Sequence, residues 1–479
     1  LNDTVNDTAI DTAAVGAQQL RELIGADSVL TDAADIAPFL VDQRRLYRGQ
    51  AFAVALPRDV GEVARIVGWC NQHRIGVVPQ GGNTSYCGAA TPDESGRQLL
   101  LSLRRLNRIR ALDADNFSVT AEAGCVLATV QQAADAAERF FPLSLGSEGS
   151  CQIGGNLSTN AGGLNVVRYG MARDLVLGIE AVLPDGQVLH GLKSLRKDNT
   201  GYDLKSLLVG AEGTLGVITA ATLKLWPKMR SSATAFVALA SPEDALRLLG
   251  LLKTQAGERL SSFELLPRIA IELTTRHISG VTDPLGTVYP WYILCELTSA
   301  ADEPLSDLLQ HALADAAERS LLLDAAIATN ERVRAAFWRL RETVPEAQRV
   351  AGSSLKHDVS VPVAALPQFI EHASLWVREH VSDGVLVCYG HAGDGNLHFN
   401  INCIDRERSA AFLAQEPVIR RAIHDLVAKF AGSFSAEHGI GRLKREELQR
   451  YGSPVALTAM RAIKQALDPN GIMNPGKLL

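Results

Sequence analysis

The chain has 479 residues, enough for two or three domains that each bury a core, and a formal net charge of −6. Hydrophobic residues make up 47% and charged residues 21%, an ordinary globular balance that gives no reason to expect nucleic acid or an anionic membrane as a partner. No run of about 18 apolar residues occurs, so no membrane-spanning helix is expected.

Residues 1–50 read as helical and Ala-rich, and the polar start Leu1-Asn2-Asp3-Thr4 shows no secretory signal. Ala51–Leu56 reads as a strand, Asp59–His73 as an amphipathic helix and Gly76–Pro79 as a second strand. The basic run Arg104, Arg105, Arg108 and Arg110 lacks interleaved aromatics and reads as a solvated face. Gly/Asn/Ser clusters recur up to Gly216, where Gly216–Leu225 reads as a strand closed by Trp226-Pro227. Glycine then thins out. Pro242–Gln255, Asp302–Arg319, Glu331–Arg341 and 454–467 read as helices, and Leu386–Tyr389 and Leu397–Ile401 as strands. The class is α+β, with a cofactor domain over 1–228, a substrate domain over 229–430 and a C-terminal helical segment over 431–479.

Three small-residue blocks stand out. Pro79-Gln80-Gly81-Gly82-Asn83-Thr84-Ser85 follows a strand. Paired glycines free successive N–H groups to point at one anion, and the hydroxyls add donors. The block lacks the Gly-Lys-Ser/Thr of a Walker loop, and no Gly-x-Gly-x-x-Gly joins a strand to a helix, so a Rossmann NAD site is not expected. The second block runs from Gly146, Ser147, Gly149 and Ser150 through Gly154, Gly155, Asn156 and Ser158 to Asn160, Ala161, Gly162 and Gly163. Side chains this small suit close approach to a large planar ligand. The third is Val209-Gly210-Ala211-Glu212-Gly213-Thr214-Leu215-Gly216-Val217-Ile218.

In this order and spacing the blocks resemble the FAD domain of the vanillyl-alcohol oxidase superfamily (the p-cresol methylhydroxylase type). The likeness is strongest to the branch of D-lactate, glycolate and D-2-hydroxyglutarate dehydrogenases. It extends from about residue 30 to Asn474-Pro475-Gly476-Lys477. The resemblance implies FAD, with Gln80–Ser85 on the pyrophosphate and Pro79 beside it, Gly146–Gly163 along the flavin, and Glu212, Gly213 and Ile218 on the adenosine side. It places Asn474 at the cofactor as well. Where some relatives carry a histidine bound covalently to FAD, this chain has Asn83, so the FAD is expected to be non-covalent.

A second constellation lies in Tyr389-Gly390-His391-Ala392-Gly393-Asp394-Gly395-Asn396-Leu397-His398-Phe399-Asn400. With Asp394-Gly395 as a two-residue turn, His391 would fall directly opposite His398, and Asn400 would share their face. Two imidazoles so placed can share a divalent metal, and Glu437, in Ser435-Ala436-Glu437-His438-Gly439, is the candidate carboxylate. Such a set suits several divalent ions, and the resemblance implies zinc or manganese. By the resemblance, His438 is the base and also contacts substrate, while Arg341 and Lys356 bind the substrate carboxylate. Asn400 would reach its distal end. His357 and Asp358 read as supporting residues. D-2-hydroxyglutarate enzymes carry threonine where this chain has Pro345, which keeps D-lactate and glycolate open as substrates.

The chemistry requires such a set. Oxidising a 2-hydroxy acid removes a hydride from Cα and a proton from the hydroxyl; a cofactor must take the hydride, and histidine suits the proton. Two rivals remain: a metal-dependent hydrolase, which leaves the three blocks without a purpose, and an FAD-binding electron carrier, which leaves the histidines unexplained. The electron acceptor is open among electron-transfer flavoprotein, a quinone and a cytochrome, and a homodimer is possible. The seven cysteines, odd in number and without a CxxC pair, fit a reducing compartment and point to the cytoplasm.

Overall fold

The computed structural model describes residues 4–479, so Leu1, Asn2 and Asp3 of the expected N-terminal helix lie outside the described residues. It divides into two compact units. The first joins the residues up to Gly162 with Met171–Pro227 and Glu437–Leu479; the second comprises Gly163–Gly170 and Lys228–Ala436. The C-terminal segment from Glu437 therefore belongs with the nucleotide-type blocks, and Gly163 belongs with the second unit.

The first unit holds two main sheets. In the smaller, Val29–Leu30, Ala53–Ala55, Leu99–Ser102 and Val77–Gln80 lie side by side, the last three mutually parallel. Such strands are covered on both faces and read as apolar runs. Leu99, Leu101, Val77 and Ala53 pack with Val63, Ile66 and Val67 of the helix Val60–His73. Asp59 caps that helix by accepting the N–H of Glu62. The larger sheet is antiparallel, in the order Ile109–Asp113, Ser118–Glu122, Val217–Lys224, Val176–Val182 and Val188–Gly191.

Two expectations change here. The N-terminal helix ends at Ile24, before Gly25 at φ +93°, and only short helical turns follow as far as Phe39. The basic run is not a freely solvated face. Arg108 and Arg110 pair with buried Glu122, Arg110 also with Glu180, and Arg104 lies over the ring of Phe39. Buried carboxylates in the sheet demand those cations.

The second unit is built on an eight-stranded antiparallel sheet. Its path runs Asp324–Ile327, Ser231–Leu239, Trp291–Ser299, Leu260–Pro267, Val385–His391, Asn396–Cys403 and Ser353–Leu355, and Asp358–Ser360 also pairs with Asn396–Cys403. Successive side chains of a strand point to opposite faces. Ala235, Val237 and Leu239 thus enter one core, with helices Pro242–Ala256, Leu305–Glu318 and Leu366–His380. Phe236 and Ala238 enter another, with helices Arg268–His277 and Glu331–Glu342. The helix expected from Asp302 begins at Leu305, with Pro304 as its cap.

Candidate active site

In the first unit the three blocks meet. The first leaves the strand Val77–Gln80 and turns at Asn83, whose φ is +54°. A Cβ on Gly82 would sit 2.2 Å from the Ser150 carbonyl, and one on Gly81 3.4 Å from the Gly155 nitrogen, so the first block lies directly on the second. The third block binds the second through Glu212 N–H to Ser158 O (2.8 Å) and touches the first where Gly213, at φ +72°, meets Pro79. Asn474 ties the C-terminal segment in, donating to Glu212 O (2.7 Å) and Ala89 O (3.0 Å).

This arrangement fits FAD. A Cβ built on Gly146, Gly149 or Gly155 meets nothing within 4 Å, so these glycines border free space that side chains would fill. Buried Gln152 Oε1 and Asn474 Oδ1 have no hydrogen-bond partner among the described residues. Other residues of the blocks are occupied by the scaffold. Gln80 is buried and donates to Phe39 O and Ala90 O; Asn83 donates to Val41 O. Gly154 exists for close packing, since a Cβ there would meet Ala123 at 2.6 Å. Gly154, Gly155, Asn156 and Ser158 form a short helix, Ile153–Ser158. Asn156 reaches Cys151 Sγ, Ser158 returns to Gly154 O, and Asn160 accepts Arg173 N–H. Ser150 Oγ donates to Ser147 O, and the N–H of Cys87 donates to Ser85 Oγ. Thr84 is half-buried, and Ala161, with Gly162 after it, is buried beside the helix. Ile218 is buried in the strand Val217–Lys224, so its side chain serves the core.

The candidate base is in the same unit. Tyr86 meets the His438 ring edge-on at 4.8 Å, and Cys87 Sγ lies 3.3 Å from Gly439 O. Glu437 Oε1 is 3.6 Å from His438 Nε2. Glu212, buried, accepts the N–H groups of Ile440 and Gly441, each at 2.7 Å. Burial pushes the Glu212 carboxyl up, against those two N–H groups and Lys444, which hold it down. Its side chain therefore serves the loop after His438, and only its backbone remains for a nucleotide.

The second unit carries Arg341, Lys356, His391, His398 and Asn400. The hairpin register differs from the sequence expectation. Tyr389, not His391, lies across from His398. The loop is four residues, Ala392–Gly395, between strands Val385–His391 and Asn396–Cys403, and Asp394-Gly395 form only its second half. Gly395, at φ +86°, lies against the Val361 carbonyl, where a Cβ would come to 2.2 Å. His391 is displaced by two residues, which keeps it on the His398 face as a diagonal neighbour. The ring centroids are 5.5 Å apart.

On its other side His398 pairs in register with Asp358, and the two can offer ligand atoms within 4.8 Å of each other. Asp358 also accepts from Asn396 Nδ2. His391 donates through Nδ1 to Glu264 Oε1 at 2.7 Å, so Nε2 is the ring nitrogen that could ligate a cation. Imidazole and carboxylate donors of this kind suit a divalent cation. Asn400 is buried, its amide accepting from His357 N–H and donating to Gln348 Oε1. Lys356 is exposed. Arg341 is buried, bonded to Glu264 and stacked 4.9 Å over Tyr389.

Asp358, expected as a supporting residue, stands directly beside His398, whereas Glu264 is the neighbour of this set that sequence reasoning missed. No motif marks Glu264. The available signal is an acid inside the apolar strand Leu260–Pro267, since a buried charge must have partners.

Comparison with known proteins agrees. Residues 51–191 match the FAD binding domain family, and residues 228–478 match the C-terminal domain of FAD linked oxidases. The D-2-hydroxyglutarate dehydrogenase of Xanthomonas citri is 35% identical, with 96% of each chain covered. The mitochondrial D-2-hydroxyglutarate dehydrogenase of Arabidopsis thaliana is 37% identical over 96% of this chain and 80% of its own. Among solved structures, p-cresol methylhydroxylase with substrate bound superposes with a TM-score of 0.78 at 16% identity, covering 97% of this chain and 96% of its own, which bears out the expected fold.

Proposed function

The chain belongs to the FAD-linked oxidase family, and we propose that it oxidises D-2-hydroxyglutarate to 2-oxoglutarate. Relatives at 35–38% identity that carry the name D-2-hydroxyglutarate dehydrogenase support the substrate. The observation that carries the reading is the Glu212 clamp, which ties the third glycine block to the loop bearing His438. A proton acceptor is thereby fixed to the same scaffold as the dinucleotide bed.

FAD, when bound, supplies the hydride acceptor that no side chain provides. A divalent cation on His391 and His398 would lower the pKa of the substrate hydroxyl. His438 takes the hydroxyl proton. Arg341 and Lys356 hold carboxylate, Arg341 with a guanidinium already oriented by Glu264. Seven buried cysteines, none in a disulfide among the described residues, support a reducing compartment, which we take to be the cytoplasm.

D-lactate is the second reading, favoured by Pro345. In this structure Pro345 sits in the first turn of the helix Val344–Ala351, where a missing N–H costs little. A threonine hydroxyl is absent there all the same. Comparing kcat/KM for D-2-hydroxyglutarate, D-lactate and glycolate separates the two. A preference for D-2-hydroxyglutarate of at least tenfold is expected, and a preference for D-lactate overturns the choice.

A further inference from the structure

Glu264 lies in the middle of the strand Leu260–Pro267, at the heart of the second unit's sheet, and is 1% exposed. Its neighbour Leu265 enters one core and Leu266 the other. The strand pairs with Val385–His391 so that Glu264 stands opposite His391. Its two oxygens serve different residues. Oε1 takes the Nδ1 proton of His391 at 2.7 Å, and Oε2 takes Nε and Nη2 of Arg341, each at 2.7 Å. Facing the Nδ1 of His391 and the Nε and Nη2 of Arg341, it acts as a hydrogen-bond acceptor on both oxygens.

We propose that Glu264 is a positioning residue that fixes the tautomer of His391 and the direction of the Arg341 guanidinium together, so that metal binding and substrate-carboxylate binding are set by one buried group. The inference rests on the roles given above to His391 and Arg341.

Both effects follow from the geometry. A carboxylate at 2.7 Å from Nδ1 keeps the proton there and leaves the Nε2 lone pair for a cation. A carboxylate on the far side of a metal-binding histidine fixes its ring and raises its basicity. On the other oxygen, Arg341 gives up Nε and Nη2, so the rest of its planar fork is presented in one orientation, with Tyr389 against its face. An amide at this position cannot serve both clients. Its oxygen satisfies one, and its NH2 faces a donor on the other unless His391 moves its proton to Nε2, which removes the ligating lone pair.

The test uses the FAD-containing protein with zinc as the probe. Glu264→Gln is expected to weaken zinc binding about 10- to 100-fold and to raise KM for the hydroxy acid, with flavin content unchanged. An unchanged zinc dissociation constant in the folded variant overturns the inference. A second measurement needs no variant. Nitrogen-15 spectra of histidine-labelled, metal-free native protein are expected to show His391 protonated at Nδ1, and protonation at Nε2 overturns it. Native protein that binds no zinc contradicts the metal reading instead, and the tautomer then decides the role of Glu264 alone.

Discussion

The carboxylate of Glu212 accepts the N–H groups of Ile440 and Gly441, both at 2.7 Å, across 228 and 229 residues of sequence. Gly439 must be glycine for this contact, because a Cβ there would come within 2.8 Å of Glu212 Oε1. The clamp therefore sets where His438 stands. In Glu212→Gln one oxygen is replaced by an NH2 that faces an N–H donor. Charge-assisted hydrogen bonds contribute roughly 1.5–3 kcal/mol. A fall in kcat of about tenfold or more is expected, since 1.4 kcal/mol is a factor of ten, with the flavin spectrum retained. Native kcat in the flavin-loaded variant would show that the loop stands without the clamp.

His438→Ala should keep flavin, because the bonds that join the glycine blocks do not involve the imidazole. General acid–base contributions run to about 10²–10⁴-fold in rate, and a loss of that order in kcat is expected. Turnover near the native rate would remove His438 from the mechanism.

Gly155 gives a sharper test of the cofactor bed. It is in the helix Ile153–Ser158, and a Cβ there would touch nothing. Replacing a helical glycine removes an entropic cost of about 0.5–1 kcal/mol. Gly155→Leu is thus expected to leave the flavin-free melting temperature unchanged or raised, while its side chain fills the free space and the flavin-to-protein ratio collapses. Full flavin occupancy in the variant would place the ring elsewhere.

Lys477 is buried, and burial, with Arg442 and Arg445 nearby, lowers its amine to about 8. In the unfolded chain the amine titrates near 10.4. Between these values the unfolded state binds more protons, so stability rises with pH there; below 8 the folded state carries the full cost of the charge. Lys477→Met should therefore melt higher than the native protein at pH 7, and the difference should shrink as pH rises from 8 past 10. A difference constant across that range would contradict the burial effect. Melting curves of both proteins at each pH measure it.

What the sequence shows and what it conceals divides along physical lines. Capped, periodic helices are legible. The helix expected over Asp59–His73 forms as Val60–His73 behind its Asp59 cap, and the one over Pro242–Gln255 forms as Pro242–Ala256 behind Ser241. The glycine blocks announce close approach, and they do meet. The hairpin register is not legible, because Asp-Gly marks a turn without fixing its length, and Gly395 answers to Val361, just past the strand Asp358–Ser360. Glu264 is not legible either. Its partners Arg341 and His391 are 77 and 127 residues away, and only the paired strands bring them together. The side-chain bonds of Gln80, Asn83 and Glu212 show the same limit: motif residues are assigned to a ligand, yet their polar atoms hold the scaffold.

The most direct measurement is the visible spectrum of the purified protein, followed by anaerobic addition of D-2-hydroxyglutarate. Flavin bands near about 450 nm, expected from flavin chemistry generally, should be present and should bleach on addition. Bands that persist with D-2-hydroxyglutarate but bleach with D-lactate would move the substrate, and a protein that shows no flavin even after reconstitution with FAD would contradict the flavoenzyme assignment itself.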